Sequence, residues 1–275
     1  MRAADLLPAA VRRLEAAGVA DPRGDARRLL AHALEVAPER LLLHLSDPAG
    51  AEAQARFAAA LAAREARQPV AQITGGRLFW GRRFRVTRDT LDPRPETEIL
   101  VAAALEAPFA EVLDLGTGTG AILLTLLAER AEARGLGTDI SAAALAVARQ
   151  NAEALGLAAR VRLRQGDWFD GIDGRFDLIV SNPPYIAAAE MADLAPEVAE
   201  WEPRGALTPE GDGLDAYRAI AAGAGRHLAP GGRLLREIGP GQAGTVRAIL
   251  AAGGLETRAV LTDLDGRDRV VLAGA

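Results

Sequence analysis

The sequence predicts an α/β chain: a doubly wound, mainly parallel seven-stranded sheet with an antiparallel last strand pair, preceded by a small N-terminal helical domain. Three observations carry this. From Glu111 onward, short apolar runs alternate with helical segments, the pattern of strands joined by crossover helices. The last two runs, near Thr257 to Leu261 and at RVVLA, are separated only by a polar stretch containing Asp265-Gly266, too short for a parallel crossover. Before about residue 70 there is no such alternation, and apolar residues recur at helical spacing.

Taken in order, Leu6, Leu7, Val11 and Leu14 mark a first helix, and Ala26, Leu29, Leu30 and Leu34 a second that starts at Gly24 or Asp25. Ala51 to Arg67 is alanine-rich with charges on one side and is a further helix. Residues 1–70 are thus expected to form the helical domain. VAQITGG and RLFWGRRFRV alternate and carry aromatics, predicting a β-hairpin connector over residues 71–92. Pro95 followed by Glu96 and Glu98 suits the first turn of a helix, with carboxylates near its positive end. In the remaining domain, 93–275, EVLDL, GLGTDI, VRLRQ, FDLIVSN and GRLLREIG are strands. Helices are expected from Ala121 to Ala131, Ala142 to Ala154, after Asp212, and from Gln242 to Ala251.

The 275 residues suffice for one large and one small domain, and 49% hydrophobic with 25% charged residues is ordinary globular composition. No apolar run reaches the roughly 18 residues of a membrane span, and MRAADLLPAA lacks a signal-peptide pattern, so a cytoplasmic protein without membrane partners is expected. The absence of cysteine excludes disulfides, thiolate-bound zinc and a thiol nucleophile together. His32, His44 and His227 are far apart in sequence, so no metal site is expected. The net charge is −5 and every basic residue is arginine. An acidic chain is a poor default binder of phosphates, which favours a protein or small-molecule substrate over nucleic acid.

The segment Asp114-Leu115-Gly116-Thr117-Gly118-Thr119-Gly120 follows a strand and opens a helix. Its glycines permit a tight turn and close approach of a ligand to the backbone. Gly116, Gly118 and Ala121 also satisfy the G-x-G-x-x-A dinucleotide pattern. Asp139, 21 residues after Gly118, ends the second strand, where a carboxylate can hold ribose hydroxyls. Both a nicotinamide dinucleotide and S-adenosylmethionine fit these features. Trp168, in Gln165-Gly166-Asp167-Trp168 after the third strand, could stack on an adenine or be a core residue.

Ser181-Asn182-Pro183-Pro184-Tyr185 ends the fourth strand, at the sheet edge where ligands bind in doubly wound folds. Two successive prolines make a stiff turn. The Asn182 side-chain oxygen and the Pro183 carbonyl can then be two fixed acceptors, with Tyr185 adding an aromatic face. An amide or amino nitrogen is a poor nucleophile because its lone pair is delocalised. Acceptors gripping its two hydrogens would orient it and stabilise the positive charge that grows as it attacks a sulfonium methyl. A nicotinamide enzyme has no use for such a turn, so the pair of motifs points to methyl transfer.

On these residues the chain resembles the release-factor glutamine methyltransferases, the HemK family, over nearly its whole length. DLGTGTGA, TDIS, GDWF and SNPPY are similar to the family's core motifs; ITGGRLFWGRRFRV, PRPETE, EIGPGQ and DLDGRDRVV are similar to its outer elements. The resemblance implies that Gly116, Thr117, Gly118, Thr119, Gly120, Asp139, Trp168 and Asn182 contact S-adenosyl-L-methionine. It also implies that Asn182, Pro183, Pro184 and Tyr185 receive the glutamine of a Gly-Gly-Gln loop in class I peptide-chain release factors, with Asn182, Pro183 and Tyr185 catalytic. The N-terminal helices would help to hold the release factor, and a monomer is expected. Asp92 departs from the apolar residue many members carry before PRPETE, which puts the local role of Arg94 in doubt; a structural role is favoured. Glu237 is either a satisfied buried carboxylate or part of a pocket. The competing readings are a glutamine methyltransferase of a ribosomal protein, a DNA adenine amino-methyltransferase, and a catalytically dead fold used as a binding module.

Overall fold

The structure, a computed structural model, describes residues 1–274. Along the chain the elements run α1 (Ala3–Ala16), α2 (Pro22–Ala33), α3 (Leu41–His44), α4 (Ala51–Glu65) and α5 (Val70–Ile73), then β1 (Arg77–Phe79) and β2 (Arg82–Phe84). Next come α6 (Thr97–Leu105), β3 (Glu111–Leu115), α7 (Ala121–Glu129), β4 (Arg134–Asp139), α8 (Ala142–Ala154), β5 (Val161–Gln165) and β6 (Phe176–Ser181). After β6 there are only short helices, including α9 (Pro196–Ala199) and α10 (Arg204–Leu207). The chain continues through α11 (Asp215–His227), β7 (Leu228–Glu237), α12 (Ala243–Ala252), β8 (Glu256–Thr262) and β9 (Asp268–Gly274). None of the described helices is long and apolar enough to cross a membrane.

These elements divide into two compact units. The first is Met1–Gly76 together with Ala195–Trp201; the second is the rest of the chain, which leaves it at Leu194 and re-enters at Glu202. In the first unit α1, α2 and α4 bury Leu14, Leu29, Leu30, Phe57 and Leu61 around one core. The stripe expected on α1 is only half right. Ala3, Ala10 and Leu14 are buried, whereas Leu6, Leu7 and Val11 are half-buried at its margin, because the small alanines let the helices approach closely.

The start of α2 differs from the sequence expectation. Asp21 caps it by accepting from Gly24 N at 2.9 Å, with Pro22 in the first helical position. Asp25 is instead buried and faces Arg64 of α4, whose Nε donates to it at 2.7 Å. Arg64 Nη2 also donates to Glu197 of α9 at 2.7 Å, and Arg67 Nη2 donates to the other Glu197 oxygen at 2.6 Å. Burial raises the Glu197 pKa, but these two arginines override it and hold the carboxyl below its ordinary value. Gln72 Nε2 to the Trp201 carbonyl, and Trp201 Nε1 to the Ala66 carbonyl, fasten the same segment.

The expected connector is also revised. Val70–Ile73 is a short helix within the first unit, and the hairpin proper is the β1–β2 pair. The helix expected at Pro95 starts at Thr97. Two prolines at 93 and 95 disfavour helix at Arg94, and the chain enters α6 through a turn of i→i+3 bonds, such as Thr97 N to the Arg94 carbonyl at 3.1 Å.

In the second unit the sheet order is β5-β4-β3-β6-β7-β9-β8, parallel from β5 to β7, with β9 antiparallel to both β7 and β8. Side chains alternate between its faces, as the two-residue strand period requires. Val112, Leu178, Val180 and Leu235 join α6 and α7 on one face, while Leu113, Ile179, Leu234 and Val271 join α11 and α12 on the other. The strand order reverses between β3 and β6. There Leu115 pairs with Ser181 and with Thr138 of β4, so the segments that follow these three strands emerge side by side.

Candidate active site

The turn after β3 is a rigid glycine loop. Gly116 and Gly118 have φ of 71° and 54°, and a Cβ on either would meet nothing within 4 Å. Glycine is needed there for the left-handed backbone rather than for internal packing, and both glycines line a cavity. The loop is tied down at every step. Thr117 N donates to the Thr138 carbonyl at 2.8 Å, Asn151 Nδ2 to the Thr119 carbonyl at 2.8 Å, and Gly118 N to Asp139 Oδ2 at 2.9 Å. Thr117 Oγ1 donates to buried Asp114 at 2.6 Å. Burial pushes the Asp114 carboxyl up to about 7, against that hydroxyl. Asp139 Oδ1 accepts from Ser141 N at 2.9 Å. Burial raises its pKa too, and the Ser141 and Gly118 amides oppose the rise.

Beside the loop lies a cavity of about 350 Å³. Its walls include Gly116, Thr117, Gly118, Thr119, Asp139, Trp168, Asn182 and Pro184, so residues at or just after the ends of four different strands converge on one space. Trp168 sits at φ 46°, a conformation that costs a bulky residue on the order of 1–3 kcal/mol and clusters at ligand sites.

Three of the sequence candidates are not on these walls. Gly120 caps α7 with a left-handed backbone at φ 79°, and a Cβ there would also stand 2.9 Å from Leu124 Cδ1. The Pro183 ring is buried. Tyr185 packs against the α11–α12 cluster, over Gly239. Burial, and next the Glu237 carboxyl, push its phenol up to about 12.

The Asn-Pro-Pro-Tyr turn is anchored on both sides. Before it, Ser181 Oγ donates to the Leu115 carbonyl at 2.7 Å, locking β6 to β3. After it, Gln242 Nε2 donates to the Tyr185 carbonyl at 3.0 Å, while Gln242 Oε1 accepts from Gly239 N at 2.9 Å and Tyr217 Oη at 3.0 Å. Asn182 itself is held through its amide nitrogen, Nδ2, which donates to Thr97 Oγ1 at 3.3 Å. That leaves Oδ1 as the end of the amide without this partner.

Sequence reasoning missed part of this site. Asp89, Thr90, Leu91, Pro93, Arg94 and Thr97 form one wall, Ile122 and Ile140 add apolar surface, and Pro203, Gly205 and Ala206 close a further side. The PRPETE and EIGPGQ segments, each similar to a family element, were the only signals pointing to Thr97 and Gln242. Arg94 Nη2 lies 2.7 Å from buried Glu202, and the residue also forms part of the wall. Asp92 N donates to the same Glu202 at 3.4 Å, and Arg77 lies 3.6 Å from the Asp92 carboxyl. Glu237 is buried and bonded to Thr97, away from the walls.

Comparison with known proteins agrees with the geometry. Residues 5–75 match the PrmC N-terminal domain family and residues 87–236 the methyltransferase small domain family. A methyltransferase structure from Pyrococcus furiosus has a TM-score of 0.55 at 18% identity, covering 71% of this chain and 89% of that one, a likeness of fold alone. The release factor glutamine methyltransferase of Rhodospirillum rubrum is 48% identical over 95% of this chain and 81% of its own. That of Cereibacter sphaeroides is 67% identical over 99% of this chain and 98% of its own. Identity at that level, sustained from the helical unit through the Asn-Pro-Pro-Tyr turn to the last strand, places this chain in the release factor glutamine methyltransferase family.

Proposed function

We propose that this chain transfers the methyl group of S-adenosyl-L-methionine to the side-chain amide nitrogen of the glutamine in the Gly-Gly-Gln motif of class I peptide-chain release factors. The observation that carries the reading is the convergence of the glycine loop, Asp139 and Asn182 on one cavity. The names of the relatives support the same substrate.

The residues fit the cofactor. Gly116 and Gly118 offer backbone with open space on the side a Cβ would fill. Each Asp139 oxygen accepts one backbone N–H and keeps lone-pair capacity for ribose hydroxyls. Trp168 offers an aromatic face to the adenine. The cavity volume of about 350 Å³ falls among small-molecule sites, about 300–1,000 Å³. When bound, the cofactor supplies an electrophilic sulfonium methyl. The chain's part is positioning. Asn182 Oδ1 and the Pro183 carbonyl accept the two amide hydrogens of the glutamine. Their pull grows as positive charge develops on that nitrogen, so they stabilise the transition state more than the ground state. The Ser181 and Gln242 anchors keep these acceptors from relaxing. A monomer working in the cytoplasm completes the reading.

The test is a labelled-methyl transfer assay offering purified release factor, a ribosomal protein fraction and duplex DNA side by side. Label is expected on the release factor, and a release factor with its Gly-Gly-Gln glutamine replaced should take up none. Label on DNA or on a ribosomal protein instead would overturn the assignment. For the cofactor, Asp139→Ala is expected to weaken S-adenosylmethionine binding by about 1.5–3 kcal/mol, the loss of charge-assisted hydrogen bonds. Calorimetry checks this, and NAD titrated into the wild type should give no binding heat.

A further inference from the structure

We propose that Thr97 and Glu237 are positioning residues that fix which end of the Asn182 amide faces the methyl-accepting group. The inference rests on the proposed transfer to a glutamine amide and assigns the two residues that make Asn182 an acceptor. An asparagine amide has nearly the same shape either way round, yet its two ends do opposite things. With Oδ1 in the cavity it accepts from the substrate NH₂; with Nδ2 there it presents donors to a donor. Sterics alone cannot choose between them.

A count of protons does choose. Thr97 Oγ1 lies 2.6 Å from Glu237 Oε2 and 3.3 Å from Asn182 Nδ2. A threonine hydroxyl has one proton and two lone pairs. When Glu237 is a carboxylate it can only accept, so the Thr97 proton is committed to it, and 2.6 Å suits such a charge-assisted bond. Thr97 then has only lone pairs left for Asn182. The amide must turn its NH₂ to Thr97 and its oxygen to the cavity. When Glu237 is protonated it can donate to Thr97, which frees the Thr97 proton for Asn182 Oδ1 and reverses the amide. Glu237 is 2% exposed and its carboxyl accepts from the Thr97 hydroxyl, so the chain of bonds to Asn182 runs through Thr97.

The surroundings of Glu237 make this polarity sensitive to pH near neutrality. Burial pushes its carboxyl up to about 7, against the Thr97 hydroxyl and the positive charges of Arg269 on β9 and Arg94 before α6. Glu96 adds to the rise, and the neutral Tyr185 phenol lies close by. A raised carboxyl pKa means that the acceptor polarity is present above the folded-state value and lost as pH falls through it.

The experiment uses the full chain with release factor as methyl acceptor. Thr97→Val, which removes the hydroxyl and keeps the shape, is expected to lower kcat about tenfold, the scale of one net hydrogen bond, with cofactor affinity within about twofold. Thr97→Ser should restore most of the rate. Wild-type kcat should fall on the acid side through the Glu237 range, and Glu237→Gln, which cannot titrate, should lose that acid limb. Thr97→Val at the wild-type rate, Thr97→Ser as impaired as Thr97→Val, or an unchanged acid limb in Glu237→Gln would each overturn the inference. If Thr97→Val does not fold, the near-isosteric Thr97→Ser and Glu237→Gln decide it. A wild-type enzyme that leaves the release factor unlabelled removes the functional reading and this inference together; a labelling wild type with an indifferent Thr97 removes this inference alone.

Discussion

Replacing Asn182 by alanine is expected to lower kcat for transfer to glutamine by about 10²-fold or more, comparable to losing one preorganised electrostatic contact in other enzymes, while cofactor affinity changes little. The side chain is lost from a turn whose other supports remain. Ser181 still bonds to Leu115 and Gln242 still holds Tyr185, so the backbone should keep its course. What disappears is an acceptor whose worth rises as the substrate nitrogen becomes cationic, which is why the loss belongs in kcat. Asn182→Asp is the sharper probe. It keeps an acceptor oxygen but brings a second carboxyl to Thr97, which already donates to Glu237. Turnover between those of alanine and wild type is expected. Single-turnover transfer by both variants, with cofactor binding measured in parallel, tests this; an alanine variant at the wild-type rate would take Asn182 out of the chemistry.

The largest stability effect is expected at Arg64, far along the chain from any cavity wall. Its guanidinium is buried and neutralises Asp25 through Nε and Glu197 through Nη2. Removing one member of a buried ionic group leaves charge uncompensated in a low-dielectric setting, typically costing 3–5 kcal/mol. Arg64→Met keeps the aliphatic bulk and deletes the charge with its hydrogen bonds to Asp25, Glu197 and the Gln68 carbonyl. Asp25 would retain Arg28 at 2.6 Å, and Glu197 would retain Arg67 at 2.6 Å. Those remaining partners put the expected loss at the low end, roughly 3 kcal/mol. The first unfolding transition in urea should move to lower concentration, and the segment 195–201 should become sensitive to protease. A variant that unfolds with the wild type would show the arginine to be dispensable.

What the sequence revealed and what it hid follow from how each feature is encoded. The helix Ala142–Ala154 was legible to the residue, since Ser141 caps it and the apolar period is regular. The strand EVLDL and the glycine loop were legible because a short strand pattern followed by closely spaced glycines has few other solutions. The start of α2 was misplaced because Asp25 looks as good a cap as Asp21 until Arg64 is seen to claim it. Residues 186–211 gave no reading at all, being short turns without a period. The pairs that matter most there and at the site join residues 140 apart, as in Thr97–Glu237, or 133 apart, as in Arg64–Glu197. A hydroxyl meeting a carboxyl across such a distance leaves no trace in local pattern. Gly120 shows how a motif position can also have a local cause, since its left-handed backbone at φ 79° itself asks for glycine.

The return of Ala195–Trp201 to the first unit has a consequence for synthesis. Residues 1–76 leave the ribosome first and can begin to fold at once, as N-terminal segments do. Yet Glu197, the partner of both Arg64 and Arg67, is made 133 residues after Arg64. At about 5–20 residues per second that is a delay on the order of ten seconds. Throughout it Arg64 has Asp25 and Arg67 has the Ala17 and Gly18 carbonyls within reach, but the carboxylate that joins the two arginines is missing. The helical unit is therefore the first part of the nascent chain to appear and cannot be finished until β6 and its Asn-Pro-Pro-Tyr turn have also been made.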